Sequence, residues 1–496
     1  MEFLTHFDKV FTLYHIGLLL GGTFAGLILG ALPGLSPTMA VALMIPFTFH
    51  MEPASGLILL GAMYTSTVAG GAISAILVNV PGAPANIATA LDGHNLANQG
   101  RAAEALHYCF ISSFFGGLIG IFVLIFFTPP LAELALRFGP SELFWIAIMG
   151  ITIIGTIGSS SVIKGLLAGL FGLALSTIGD NPMLGEERFV FSEHLESGVH
   201  IVVALIGLFA IPQVFTLFAN TAKEEASTIH KLGQSRLIQS VRYNFSRLRA
   251  LCIGSLIGTV VGIIPGAGGQ IAGLVAYDQT KKTSKDPDKF GQGEPDGIIA
   301  AESANNAMVG PSLVPLLTLS IPGSPTAAVL LGGLLIHGLF PGPDLFSIHG
   351  ETTWTFINSL IVAQFFMVVI GLFLSQHSGM IMKVPGHYMA AVILVLAVFG
   401  TYSIQSSYSD VLIMMILGIF MYFASRFGFG PAPLVLGIIL GPIAEDNFLQ
   451  GKLIGESGDG IFSYFTSGPI NIILISLCIG SIVYSIYSSR KSKTAD

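Results

Sequence analysis

Apolar runs long enough to cross a bilayer recur along the whole chain, separated by short polar stretches. The first covers residues 10–32, and others follow near 52–80, 103–128, 141–161, 163–179 and 198–220. A second series lies at 250–264, 297–321, 351–375, 387–405, 409–425, 431–444 and 468–488. A membrane helix needs about 20 apolar residues. Several runs are interrupted by Pro-Gly pairs, so the pattern predicts roughly ten to thirteen full spans. The first run exceeds the apolar core of a signal peptide and lacks an A-x-A site with a polar mature start, so it reads as a retained span. The expected fold class is an all-α polytopic membrane protein.

Composition strengthens that reading. Of the 496 residues 52% are hydrophobic and 10% charged, against about 25% charged in soluble domains. An ordinary soluble enzyme is therefore excluded, and the recurring apolar runs exclude intrinsic disorder. The 60 glycines show no three-residue period and sit inside apolar runs, as in closely packed membrane helices. A net charge of −7 gives no footprint for nucleic acid. Cys109, Cys252 and Cys478 are scattered without a CxxC pair, which implies neither a disulfide framework nor a zinc site.

The charges are placed unevenly. Residues 221–249 carry Lys223, Lys231, Arg236, Arg242, Arg247 and Arg249, and residues 278–296 carry Lys281, Lys282, Lys285 and Lys289. The tail ends with Arg490, Lys491 and Lys493. By the positive-inside rule these three stretches are cytoplasmic, and the N-terminal segment, whose one basic residue is Lys9, is expected on the periplasmic side. The expected organisation is a membrane repeat at 1–220, a cytoplasmic basic linker at 221–249, a second membrane repeat at 250–489 and a cytoplasmic tail at 490–496.

Internal similarity supports this division. Gly26, Gly30, Pro33 and Gly34 match Gly258, Gly262, Pro265 and Gly266 at a single offset. Val80-Pro81-Gly82-Ala83-Pro84 matches Ile321-Pro322-Gly323-Ser324-Pro325, and Pro140 with Gly155-Thr156 matches Pro385 with Gly400-Thr401. The matched segment 250–279 lies between two basic loops, whereas its counterpart 10–49 lies between stretches almost free of Lys and Arg. Equivalent loops on opposite faces predict two inverted-topology repeats, a pattern of secondary transporters.

Each half thus carries two apolar segments broken by Pro-Gly, tolerated inside a membrane only where the break is buried in protein or lines a cavity. A helix restarting after such a break aims free N–H groups and the positive end of its dipole into that cavity. Four such termini predict a site for an anion. The candidate contacts are Gly34, Ser36, Thr38, Asn79, Gly82, Asn86, Gly266, Gln270, Gly323, Ser324 and Thr326. A separate stretch, Ala301-Glu302-Ser303-Ala304-Asn305-Asn306, places Glu302, Asn305 and Asn306 on one helical face. One carboxylate beside two amides predicts a site for a coupling ion, Na⁺ through oxygen ligands or a proton. The first half has Gly61, Tyr64 and Thr65 at the corresponding places.

Gly266-Ala-Gly268-Gly269-Gln-Ile lacks the third glycine of a dinucleotide loop, and there is no Walker A motif, H-E-x-x-H or Gly-x-Ser-x-Gly. No enzymatic chemistry and no cofactor beyond the coupling ion are expected. The stretches Gly30-Ala-Leu-Pro-Gly-Leu-Ser36, Ala75-Ile-Leu-Val-Asn-Val-Pro-Gly82, Ala90-Leu-Asp-Gly93, Gly262-Ile-Ile-Pro-Gly266 and Ala301–Asn306 closely resemble the large membrane subunit of tripartite tricarboxylate transporters, the TctA family. The resemblance covers nearly the whole chain. It implies a bacterial inner-membrane symporter for carboxylates such as citrate, driven by Na⁺ or protons. It further implies a small membrane partner subunit and a periplasmic solute-binding protein. The alternatives are a passive anion channel or, from another class, an integral-membrane enzyme.

Overall fold

The computed structural model describes residues 5–157, 161–180, 185, 187–192, 195–196, 198–220, 237–264, 268–381, 384–458 and 460–493. The first half contains helices α1 (Leu13–Ala31), α2 (Pro37–Thr48), α3 (Pro53–Val78), α4 (Ile87–Asn98), α5 (Ala102–Ala135), α6 (Pro140–Ile157), α7 (Val162–Ser176) and α8 (Ile201–Asn220). Helix α9 (Leu237–Ser246) leads into the second half. There follow α10 (Leu248–Ile263), α11 (Gly268–Lys282), α12 (Pro295–Ala307), α13 (Val309–Leu319), α14 (Pro325–Ile336), α15 (Gly350–Ser375), α16 (Gly386–Gln405), α17 (Tyr408–Arg426), α18 (Pro431–Glu456) and α19 (Pro469–Lys493). A two-residue antiparallel pairing joins Gly179–Asp180 to Glu187–Arg188.

Among the described residues eight helices are long and apolar enough to cross a membrane: α1, α3, α5, α8, α15, α16, α17 and α18. The pair α9–α10, bent by 72°, makes a ninth if counted as one span. The protein is therefore a multi-pass, all-α membrane protein. Helices α2, α7 and α14, of 12, 15 and 12 residues, are shorter than a full span. The run at 297–321 is divided at Met308 into α12 and α13, beside Pro311, whose ring removes a backbone donor.

The breaks have defined local causes. Ser36 caps α2 by accepting from the Met39 N–H (3.4 Å), and Ser324 caps α14 by accepting from the Ala327 N–H (3.1 Å). In both cases a proline occupies the first helical turn, where its missing donor costs nothing. The helices before the second break of each half end alike. Asn79 after α3 and Ser320 after α13 both adopt the left-handed conformation, with φ of 57° and 60°. Val80 N–H then donates to Ser74 O (3.4 Å), and Ile321 N–H to Pro315 O (3.2 Å). Gly82 N–H donates to Gly71 O (3.3 Å), and Gly323 N–H to Ser312 O (3.1 Å). Every member of these pairs is 241 residues from its counterpart.

The two halves exchange contacts reciprocally. Helix α5 packs on α12 and α13 while α15 packs on α3; α7 packs on α18 while α17 packs on α8. Glycines make the close approaches. Gly26 and Gly30 of α1 press on the backbone of α3, as Gly258 and Gly262 of α10 press on Ala304 and Met308. Helix α3 is buried throughout its most apolar window, so it is the central helix rather than a lipid-facing one. Two bodies result. One contains α1, α3, α5, α10, α12, α13 and α15, the other α6–α8 and α16–α18, and they meet chiefly through α2 and α14.

Two ends of the molecule can be told apart. At one end the His337 ring pairs with Thr48 Oγ1 (3.3 Å) and Lys9 forms an ion pair with Glu351. At the other, Asn95 Nδ2 donates to Gly291 O (2.8 Å), Gln99 Nε2 to Gln292 O (2.7 Å), and Arg247 pairs with Asp296 (3.3 Å). Helix α3 starts at the first end, and after its break α4 finishes at the second.

The equivalent breaks are equally crowded. A Cβ on Gly82 would lie 2.5 Å from Gly30 O, and one on Gly323 2.6 Å from Gly262 O. Gly82→Ala and Gly323→Ala are each expected to destabilise the protein by about 1–3 kcal/mol, the cost of overpacking. Gly21→Ala, where a Cβ would meet nothing within 4 Å, is expected to be neutral. Thermal unfolding of the detergent-solubilised protein checks all three.

Candidate functional site

The first polar cluster surrounds Glu302. Helix α12 carries this carboxylate into the interior, where it is fully buried. Its Oε1 accepts from Asn86 Nδ2 (3.2 Å) and from the Thr89 hydroxyl, and its Oε2 accepts from Ser113 Oγ (3.1 Å). These donors come from the start of α4 and from α5, so the second half's acid is held entirely by the first half. Among the described residues no Lys or Arg forms an ion pair with it. A buried carboxylate without a countercharge is costly, and hydrogen bonds offset only part of that cost.

Asn305 and Asn306 lie three and four residues further along the same helix, both buried, and neither amide has a hydrogen-bond partner on O or N. Asn86 Oδ1 is likewise buried and unpartnered. Native interiors leave few such groups unsatisfied, and each calls for a specific explanation. Three amide oxygens and a carboxylate are the hard oxygen ligands that Na⁺ prefers. The residues present therefore fit the ion expected from the sequence. Among the described residues no cluster of three or more His, Cys, Asp or Glu could hold a transition metal.

The second cluster joins the caps of α2 and α14. Thr38 Oγ1 and Thr326 Oγ1 share a hydrogen bond of 3.0 Å across the two halves. Tyr64 from the middle of α3 reaches the same place, its hydroxyl lying 2.7 Å from Ser324 Oγ and 3.1 Å from Ser312 Oγ. Tyr64 occupies in the first half the position that Asn305 occupies in the second. One half fills that position with a hydrogen-bonded phenol, and the other leaves an unpartnered amide there.

The third feature fastens α4 to the loop before α12. Asp92 Oδ1 accepts from the N–H groups of Gly291, Gly293 and Glu294, each at 2.8 Å, and Oδ2 accepts from the Tyr277 hydroxyl at 2.8 Å. A carboxylate gathering several backbone N–H groups is a strong, charge-assisted arrangement.

Residues 16–436 match the family described as the tripartite tricarboxylate transporter TctA family. The chain belongs to that family. A 52.8 kDa protein from the TAR-I ttuC' 3' region of Agrobacterium vitis is 33% identical over 476 residues, covering 95% of this chain and 93% of the relative. A second protein, from the TAR-II ttuC' 3' region of the same organism, is 33% identical over 236 residues, which is 48% of this chain and 96% of that one.

Within this TctA-family fold the residues singled out from sequence fall into separate groups. Ser36, Thr38, Ser324 and Thr326 converge at the caps of α2 and α14, and Gly323 lies buried just before them. Gly34 is exposed, with φ of +83°. Asn79 is exposed at its left-handed cap, and Gly82 is buried against α1 and α3. Asn86 lies with Glu302 rather than with the caps. Gly266 falls outside the described residues, as does most of the basic linker, and Gln270 is in the first turn of α11. Tyr64, Thr89, Asp92 and Ser113 were not foreseen as site residues. For Tyr64 the repeat alignment with Asn305 was the available signal.

Two outcomes check the roles of these contacts in the folded state. Tyr64→Phe is expected to cost about 1–3 kcal/mol, the price of leaving buried hydroxyls less satisfied. Asp92→Ala is expected to cost more, roughly 3 kcal/mol or above, because three N–H groups lose a charged acceptor. Chemical denaturation of each variant in detergent measures the order.

Proposed function

We propose that this chain is the transport-competent membrane subunit of a secondary active importer, carrying organic carboxylates such as citrate by symport with Na⁺ or H⁺. On this reading it works in the bacterial inner membrane with a small membrane subunit and a periplasmic solute-binding protein. Its N-terminus is periplasmic and its C-terminus cytoplasmic, the side that carries the basic loops. Membership of the TctA family supports the carboxylate class. The observation that carries the symport reading is Glu302, a fully buried carboxylate with no cationic partner among the described residues, beside two unpartnered amides.

The chain's own residues have distinct tasks in this reading. Asn86, Thr89 and Ser113 orient the carboxylate and keep it an acceptor. A bound Na⁺ or proton supplies the missing positive charge. The caps of α2 and α14, with Ser36, Thr38, Ser324 and Thr326, present hydroxyls and helix N-termini to an anionic substrate. Gly34 precedes the α2 cap and Gly323 the α14 cap, Asn79 and Gly82 lie in the break between α3 and α4, and Gly266 and Gln270 are the remaining candidates for contacts to the substrate. Asn86 links those loops to the ion site, so occupancy of one bears on the shape of the other.

The reading includes two inverted repeats. It is supported by the matched hydrogen bonds at the breaks and by the ends the equivalent helices reach. Helix α2 finishes beside Thr48 and His337, whereas its equivalent α11 runs toward the loop that meets Asn95 and Gln99.

Uptake of a panel of radiolabelled carboxylates into proteoliposomes, with the cognate binding protein present, tests the proposal. Wild-type protein is expected to accumulate at least one di- or tricarboxylate against its gradient only when a Na⁺ or proton gradient is imposed. Downhill flux alone would indicate a channel. Glu302→Gln is expected to lower ion-dependent uptake on the order of tenfold or more, the scale of coupling between linked sites. Undiminished uptake would overturn the role of Glu302.

A further inference from the structure

Another buried amide belongs to the interior that holds Glu302, Asn305 and Asn306. Gln364, midway along α15, is 1% exposed. Its Nε2 donates to the hydroxyl of Thr65 on α3, a residue buried as deeply. Its Oε1 is buried and has no hydrogen-bond partner. A carbonyl oxygen stripped of water and left without a donor is costly, and in a native interior such an atom calls for a specific explanation. Thr65 engages the amide nitrogen and so leaves the oxygen for some other contact.

Two helix registers place that oxygen beside Asn306. Helices α5 and α12 advance together: a Cβ on Gly116 would strike Ser303 O, and one on Gly120, a turn later, would strike Ala307 O. Ser113 of α5 meets Glu302, its Oγ lying 3.1 Å from Oε2. One turn on from Ser113 stands Gly117, and the Gln364 amide fills the room that its missing side chain leaves. A Cβ there would lie 2.6 Å from Gln364 Oε1. One turn on from Glu302 in the same direction stands Asn306. Helix α3 gives the same level. Asn86, which holds Glu302, also donates to Val68 O (3.4 Å), and Thr65 lies one turn from Val68 toward the start of α3. Helix α12 starts at the opposite end and runs toward that same start, so both steps go the same way. Gln364 Oε1 therefore stands to Asn306 as the Ser113 hydroxyl stands to Glu302.

We infer that Gln364 Oε1 and Asn306 Oδ1 are ligands of one monovalent cation, held a helical turn from the Glu302 carboxylate, and that Thr65 is a positioning residue that turns the Gln364 oxygen toward it. The inference rests on the reading of Glu302 as the coupling-ion site, and it chooses between the two ions which that reading admits. A proton on Glu302 would neutralise the carboxylate but leave both amide oxygens without partners. Na⁺ answers both needs. Amide oxygens and a carboxylate are hard ligands suited to it, and its single charge balances the single acid. A divalent cation would leave a net positive charge in the interior, which is costly. Gly117 belongs to the arrangement because any side chain there would displace the amide.

The test is binding of radiolabelled Na⁺ to the purified protein in detergent, with choline chloride holding the ionic strength constant and no carboxylate present. Wild type is expected to bind Na⁺ saturably. Gln364→Leu is expected to weaken binding by about tenfold or more, at least what losing an outer-shell partner costs in other metal sites. Gln364→Glu keeps an oxygen at the same place but loses the N–H that bonds Thr65. It is expected to bind Na⁺ at least as tightly as wild type, a rescue that a merely structural glutamine would not show. Thr65→Val is expected to weaken binding and Thr65→Ser to restore it; unchanged binding in Thr65→Val would overturn the role of Thr65. Wild-type affinity in Gln364→Leu, or loss of Na⁺ binding in a monodisperse Gln364→Glu, would overturn the ligand role of Gln364. A wild-type protein that binds no Na⁺ saturably would overturn the choice of ion. If Na⁺ binds as expected but the reconstituted protein accumulates no carboxylate under an imposed Na⁺ gradient, the importer reading fails and the cation site stands.

Discussion

A helix broken inside a membrane frees N–H and C=O groups that no water is present to satisfy, and this constraint organises the whole fold. The protein meets it the same way twice. Gly82 N–H returns to Gly71 O and Gly323 N–H to Ser312 O. Each bond demands that the loop lie against the helix before it and against a glycine carbonyl of the first helix in the repeat. That demand accounts for Gly30 and Gly262 and for the small residues along α3.

The halves depart from symmetry around Glu302. Glu302 has Gly61 as its counterpart, and Asn305 has Tyr64. The phenol of Tyr64 completes its own hydrogen bonds with Ser312 and Ser324. The amides of Asn305 and Asn306 do not, and the carboxylate beside them is held by neutral donors from the other half. Differences at three positions on one helix face give the second half a buried acid and two unpartnered amides where the first has Gly61, Tyr64 and Thr65.

Much of this was legible in the sequence. The apolar runs gave the membrane class, and the Pro-Gly pairs at Gly34, Gly82 and Gly323 marked breaks between helices. Glu302, Asn305 and Asn306 stood out because a helix places them on one face. The number of full spans was not legible, because apolar character does not distinguish a crossing helix from half of a broken one. Nor was the grouping of side chains. Asn86 looked like a substrate contact from its place after a break, yet only the packing of α4 on α12 brings it to Glu302. Thr89 and Ser113 are single hydroxyls in apolar helices, and Asp92 serves loop N–H groups some 200 residues away. Such contacts depend on which helices touch, which local periodicity does not encode.

The central claim is that a cation at Glu302 and a carboxylate at the broken-helix caps bind as a linked pair. Linkage requires each ligand to raise the affinity of the other by the same factor. The direct measurement is equilibrium carboxylate binding to the purified transporter as a function of Na⁺ concentration and of pH, for wild type and Glu302→Gln. Wild-type affinity is predicted to rise with Na⁺ or with acidification, and the variant's affinity to be flat in both. A variant that binds carboxylate with the full wild-type dependence on the cation would contradict the account.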